Sequence, residues 1–141
     1  MRSPALALLL LLIPSVSRGD DAATVRAVLD TQVACWNKGD LDGFMKTYWN
    51  SDDLTFYSGG TITKGWKPVM ERYQKRYKAD GKEMGTLAFS GIDVVMVGDA
   101  NAIVRGKWKL VLSKETDEGL YTLHLKKLPE GWRIVHDHTS K

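Results

Sequence analysis

Residues 120–139 read Leu-Tyr-Thr-Leu-His-Leu-Lys-Lys-Leu-Pro-Glu-Gly-Trp-Arg-Ile-Val-His-Asp-His-Thr. Apolar and polar residues alternate through Leu120–Lys127 and again from Trp132 to Thr139, the period of two that belongs to strands. Pro129-Glu130-Gly131 between them suits a three-residue hairpin loop closed by a left-handed glycine. Such a loop pairs Leu128 with Trp132 and His124 with His136. It places His138 on the same face two residues on, and a one-residue slip separates His124 from the other two.

The same period extends upstream. Thr86–Val97 reads as a long strand, Gly98-Asp99-Ala100-Asn101 as its turn, and Ala102–Leu112 as the next strand. On that strand Ala102, Val104, Gly106, Trp108 and Leu110 share one face, and Lys114–Glu118 reads as a polar loop. Before Thr86 the period becomes that of a helix. Val25, Val28, Leu29, Gln32, Val33 and Trp36 mark a helix over Asp20–Asn37, stopped at Lys38-Gly39. Asp40 caps a short second helix carrying Leu41, Phe44, Met45 and Tyr48. Leu54–Tyr57 and Thr61–Lys64 are strands around Ser58-Gly59-Gly60, and Pro68 lies in the first turn of a third helix. Helices first and long antiparallel strands afterwards predict an α+β fold, the helices covering one face of a curved sheet.

The chain has 141 residues, the size of one domain. Met1-Arg2, the apolar run Ala5–Ile13, Pro14 and the small residues Ser15, Ser17 and Gly19 have the order of a secretory signal peptide. We therefore expect residues 1–19 to be a removed signal and residues 20–141 to be the domain, exported to the periplasm or secreted. The apolar run is shorter than a membrane-spanning helix, so no membrane association is expected after cleavage. Of 20 basic residues Arg2 and Arg18 leave with the signal, so 18 stand against 17 acids. That near-balance removes the main support for a nucleic-acid role. The cluster Arg72, Lys75, Arg76 and Lys78 is flanked by Glu71 and Asp80 and reads as a solvated helix face. The single cysteine, Cys35, excludes an internal disulfide and reads as a small core residue.

Three strings carry a resemblance to a family. They are Trp36-Asn37-Lys38-Gly39-Asp40-Leu41-Asp42-Gly43-Phe44-Met45 with Tyr48, the glycines Gly59-Gly60 with Gly65 before the third helix, and Gly131-Trp132-Arg133-Ile134-Val135-His136-Asp137-His138-Thr139-Ser140. With the element order, they resemble the nuclear transport factor 2-like superfamily, closest to its SnoaL-like and DUF4440 branch, relatives of ketosteroid isomerases. The resemblance implies a cystatin-like cone, a curved antiparallel sheet wrapped over three N-terminal helices. It also implies a pocket between the layers and a homodimer through the outer sheet face. Members include isomerases, cyclases, dehydratases and binding modules, so the fold alone leaves the activity open.

Imidazoles at the spacing of His124, His136 and His138 can exchange protons near neutral pH or serve as hydrogen-bonded structural groups. No third ligand type is spaced to complete a metal site, and neither metal nor cofactor is expected. On this register His136, His138 and Tyr57 are the candidate acid–base residues. Trp36, Tyr48, Trp66, Trp108, His124 and Trp132 are the candidate pocket lining for a small apolar or aromatic molecule. Asp137 is expected on the opposite face, with Arg105 or Arg133 as its partner. Ketosteroid-isomerase chemistry needs a carboxylate base in an apolar pocket. Asp52 and Asp53 sit before a strand and read as turn residues, and Asp93 lies in a strand, so none is assigned that role. The reading that follows is a ligand-binding domain, with an acid–base isomerase, cyclase or dehydratase as the alternative. A homodimer is expected because Tyr121, Leu123 and Leu125 read as one apolar face and Trp132 and Ile134 as the other.

Overall fold

The computed structural model describes residues 18–141, so the signal-peptide reading lies almost wholly outside the described residues. Helix α1 spans Arg18–Asn37. It ends where Gly39 takes φ +75° and its N–H donates to the Trp36 carbonyl at 2.9 Å. Asp40 then accepts the Gly43 N–H at 2.8 Å and starts α2, Leu41–Met45. Strands β1 (Thr55–Ser58) and β2 (Thr61–Lys64) form the small hairpin. Helix α3 (Trp66–Tyr73) runs on into a single π-helical turn, Gln74–Lys78. Strands β3 (Thr86–Val97), β4 (Asn101–Val111), β5 (Thr116–Leu128) and β6 (Gly131–Ser140) complete the chain.

The six strands form one sheet in the order β2-β1-β6-β5-β4-β3, antiparallel except where β1 runs parallel to β6. The long strands are each tied to their sequence neighbour, and the parallel β1–β6 contact brings the N-terminal hairpin onto the far edge. Two bulges help to bend the sheet. In β3, Gly91 and Ile92 stand opposite the single Gly106, with Gly91 at φ +58°. In β6, Val135 is the extra residue, since His124 pairs with His136 and Leu125 with Ile134.

The helices pack on the inner face of the sheet, and one buried cluster joins the layers. From the helices come Val25, Leu29, Trp36, Phe44 and Val69, and from the sheet Val104, Leu123, Leu125 and Ile134.

The expected loop Lys114–Glu118 is shorter than its composition suggests. Leu112 N–H donates to the Glu115 carbonyl at 2.8 Å, a tight turn, and β5 begins at Thr116. The last hairpin also turns within two residues, because Leu128 pairs with Gly131 rather than Trp132. That one-residue difference is made good by the Val135 bulge, so His124 does pair with His136. The bulge also reverses the faces beyond it. Trp132, Ile134 and Asp137 point inward, while His136 and His138 point outward with His124 and Thr122. Tyr121, Leu123 and Leu125 lie on the same inner face as Trp132 and Ile134, contrary to the division expected above. The large apolar residues left exposed on the outer face are Tyr57, Ile62, Val95, Val97, Val111 and Leu120.

Candidate functional site

Between α1, α3 and the inner sheet face lies a cavity of about 470 Å³. Its helical side is aromatic: Trp36, Phe44, Tyr73 and Tyr77, with Phe56 from β1. Their rings meet mostly edge to face, Trp36 standing 4.9 Å from both Phe44 and Tyr77. Trp36 is fixed further by its indole N–H, which donates to the Met84 carbonyl at 2.8 Å. The sheet contributes Phe89, Trp108, Leu110, Tyr121 and Leu123. Tyr121 stands across from Gly106, whose missing side chain leaves room for the tyrosine ring.

Asp137 is the carboxylate that sequence reasoning placed elsewhere. It is 3% exposed and forms part of the cavity wall. The Tyr48 hydroxyl donates to its Oδ2 at 2.7 Å and the Thr139 hydroxyl to its Oδ1 at 2.6 Å. Burial pushes the Asp137 carboxyl up to about 6, against the pull of these two hydrogen bonds toward the charged form. Burial, and next the Asp137 charge, holds the Tyr48 hydroxyl well above the ordinary tyrosine range. Tyr73 is pushed up by the same two causes, burial first. The Tyr121 hydroxyl is buried and, among the described residues, has no hydrogen-bond partner. Burial raises it to about 12, so it stays a neutral donor at physiological pH.

The expected partners of Asp137 are occupied elsewhere. Arg105 is paired with Asp93 at 2.7 Å on the outer face, and Arg133 donates to the carbonyls of Trp132 and Glu130. Asp53 is exposed beside Lys64, and Asp52 is exposed in the turn before β1.

Of the six residues expected to line the pocket, Trp36 and Trp108 do so. Tyr48 lies behind the wall and reaches the site through Asp137. Trp66 donates its indole N–H to the Met45 carbonyl at 2.9 Å, away from the cavity. Trp132 donates to Asp21 Oδ1 at 3.2 Å, where Lys127 also pairs with Asp21. His124 is on the outer face, 2.8 Å from Asn101 Oδ1.

Tyr57, His136 and His138 are brought together, but outside. The Tyr57 ring stands 4.9 Å from His136 and 5.9 Å from His138. His136 shares a hydrogen bond of 2.6 Å with the Thr55 hydroxyl, and burial, then neighbouring His138, lowers its pKa. His138 is exposed and touches only the rim of the cavity. Among the described residues, no group of three or more histidine, cysteine or acidic side chains is arranged to hold a metal ion.

Two residues of the basic cluster on α3 and the π-helical turn after it also belong to the site. Arg72 and Arg76 line its mouth, with Lys141 from the end of β6. The signal was present in the sequence: Arg72 and Arg76 are four apart and immediately precede Tyr73 and Tyr77, also four apart. The helix therefore sets both pairs against the sheet.

A helix-covered, bulged sheet enclosing an aromatic cavity defines the NTF2-like class of cystatin-like cones. Residues 25–141 match the model of the SnoaL-like domain, and the chain belongs to that family. An NTF-2-like protein of unknown function from Shewanella oneidensis MR-1 is 34% identical over 84% of this chain and 98% of that one, with a TM-score of 0.79. An NTF2-like superfamily protein from Salmonella enterica serovar Typhimurium LT2 is 20% identical over 88% of this chain and 92% of its own, with a TM-score of 0.71. A ketosteroid isomerase-like protein from Erwinia carotovora atroseptica SCRI1043 is 21% identical over 86% and 96%, with a TM-score of 0.66. The last two show the fold alone. No curated protein matches the chain.

Proposed function

We propose that this chain binds a small aromatic or alicyclic molecule in the cavity between its helices and sheet. The observation that carries the reading is the Tyr121 hydroxyl, buried in an aromatic wall with no partner among the described residues. Leaving such a group unmet costs about 1–3 kcal/mol. Its oxygen is packed against Gly106, so a bound carbonyl or hydroxyl meets it when the ring turns toward the cavity. The volume of about 470 Å³ is ample for a bicyclic molecule. Titration with 2-naphthamide, a neutral bicyclic amide, tests this through the fluorescence of Trp36 and Trp108. A saturable quench that Tyr121→Phe weakens is expected. A linear, non-saturating response contradicts the reading.

A second reading, acid–base catalysis, is favoured by Asp137. A carboxyl raised to about 6 inside an aromatic cavity exchanges a proton readily near neutral pH. It is better suited to the role than His136 or His138, which face outward.

We also propose a homodimer through the outer sheet face. Its support is now the six exposed apolar side chains Tyr57, Ile62, Val95, Val97, Val111 and Leu120, all on that face. Sedimentation at micromolar concentration should show twice the chain mass, and a single-chain mass contradicts the proposal.

A further inference from the structure

Arg72 is held in an unusual way for a charged side chain on a cavity wall. Its Nη1 donates to the Thr63 hydroxyl at 3.1 Å and its Nη2 to the Ser58 carbonyl at 3.4 Å. The guanidinium carbon lies 5.2 Å from the centre of the Phe56 ring. Both acceptors are neutral, and among the described residues Arg72 forms no ion pair. Two of its five N–H groups are used, which leaves three for another acceptor. The group is fixed in place, half-buried and uncompensated.

The neighbouring charges point the same way. Arg76 and Lys141 share the single carboxylate of Asp117, at 3.7 and 2.6 Å. Three cations thus border the mouth against one committed carboxylate side chain. The carboxyl that does line the cavity, Asp137, already accepts from Tyr48 and Thr139.

We propose that the site is selective for an anionic ligand: an aromatic or alicyclic molecule bearing one carboxylate or sulfonate. The anion sits on Arg72, and the ring system lies against the aromatic wall. This rests on the cavity being a binding site, and adds to it a ligand class and an orientation. A planar guanidinium stacked on a ring matches a carboxylate with two parallel hydrogen bonds. The reverse orientation would bring the ligand's anion to Asp137 and leave Arg72 unmet. The glycines Gly59 and Gly60 at the hairpin tip line the cavity beside Ser58 and carry no side chain to block the approach.

The test compares 2-naphthoate with 2-naphthamide, which share one frame and differ in charge. Each is titrated calorimetrically into the whole protein at 50 mM and 1 M salt. At low salt the naphthoate is expected to bind about 10-fold tighter, the effect of one charge-assisted contact. Arg72→Gln should erase that preference, weakening naphthoate about 10-fold more than it weakens naphthamide. Equal affinities in the wild-type protein overturn the anion selectivity while leaving the cavity reading intact. Failure of both compounds to bind overturns the two together. Equal weakening of both by Arg72→Gln makes Arg72 a structural residue and also overturns the inference. If the variant does not fold, the wild-type comparison decides: a naphthoate preference that shrinks at 1 M salt supports the proposal, and one indifferent to salt contradicts it.

Discussion

Replacing Asp137 with asparagine is expected to remove a large pH-dependent contribution from the stability of this protein. The folded carboxyl titrates at about 6, against 3.8 for the unconstrained group. The folded state therefore holds this proton more tightly than the unfolded state. The resulting stabilisation is full below the unfolded value and is lost as pH rises through the folded one. The shift corresponds to about 3 kcal/mol, lost between about pH 4 and pH 6. The asparagine side chain keeps the shape, accepts from Tyr48 through its oxygen and donates to the Thr139 hydroxyl through its nitrogen. All other titrating groups are common to both proteins, so they cancel in the difference. Urea unfolding at pH 3.5 and pH 7.5 should show the Asp137→Asn variant gaining on the wild type by about that amount. Parallel stability curves would mean that Asp137 is not buried as described. In the acid–base reading the same variant also stops exchange of an α-proton of a bound ketone with deuterated solvent.

Trp36→Ala is expected to lower stability by about 3–5 kcal/mol, the cost of deleting a buried aromatic side chain. Trp36 is 3% exposed. It touches Phe44, Tyr73 and Tyr77, and its N–H ties α1 to the Met84 carbonyl before β3. The loss therefore combines a cavity in the core with an unpaired carbonyl. Trp36→Phe keeps most of the packing and loses the donor, so it should cost about 1–3 kcal/mol. Denaturant midpoints for the two variants check the order. A loss below about 1 kcal/mol for the alanine variant contradicts the packing described here.

Most element boundaries were legible because each depends on a local rule; the start of β5, at Thr116 rather than Leu120, was not, because its first residues are polar. The 3.6-residue recurrence from Val25 to Trp36, the Asp40 cap, the Gly59-Gly60 turn and the alternation from Thr86 onward all appear in the structure. The site was less legible, because it turns on one inserted residue. Val135 is apolar and sits between apolar and half-buried neighbours, so no change of composition marks the bulge. Yet that residue moves Asp137 into the cavity and His136 and His138 out of it. Alternation in β6 read correctly as far as Ile134 and incorrectly beyond. Arg72 was misread for a different reason. A basic helix face is ordinarily solvated, and only the position of the β1–β2 hairpin beside α3 turns this arginine toward the cavity. Tyr121 could not be singled out from sequence, since its distinction is the missing partner rather than its place in the pattern.

A ligand held in the inner cavity, against Asp137, is tested most directly through that carboxyl itself. Its carbon-13 signal is followed through a pH titration, with and without saturating 2-naphthamide. Without ligand a midpoint near 6 is expected. With ligand the midpoint rises, because a neutral ring system beside the carboxyl removes what remains of its hydration. A midpoint in the ordinary aspartate range, unmoved by the amide while His136 and His138 on the outer face respond instead, would contradict a ligand site in this cavity.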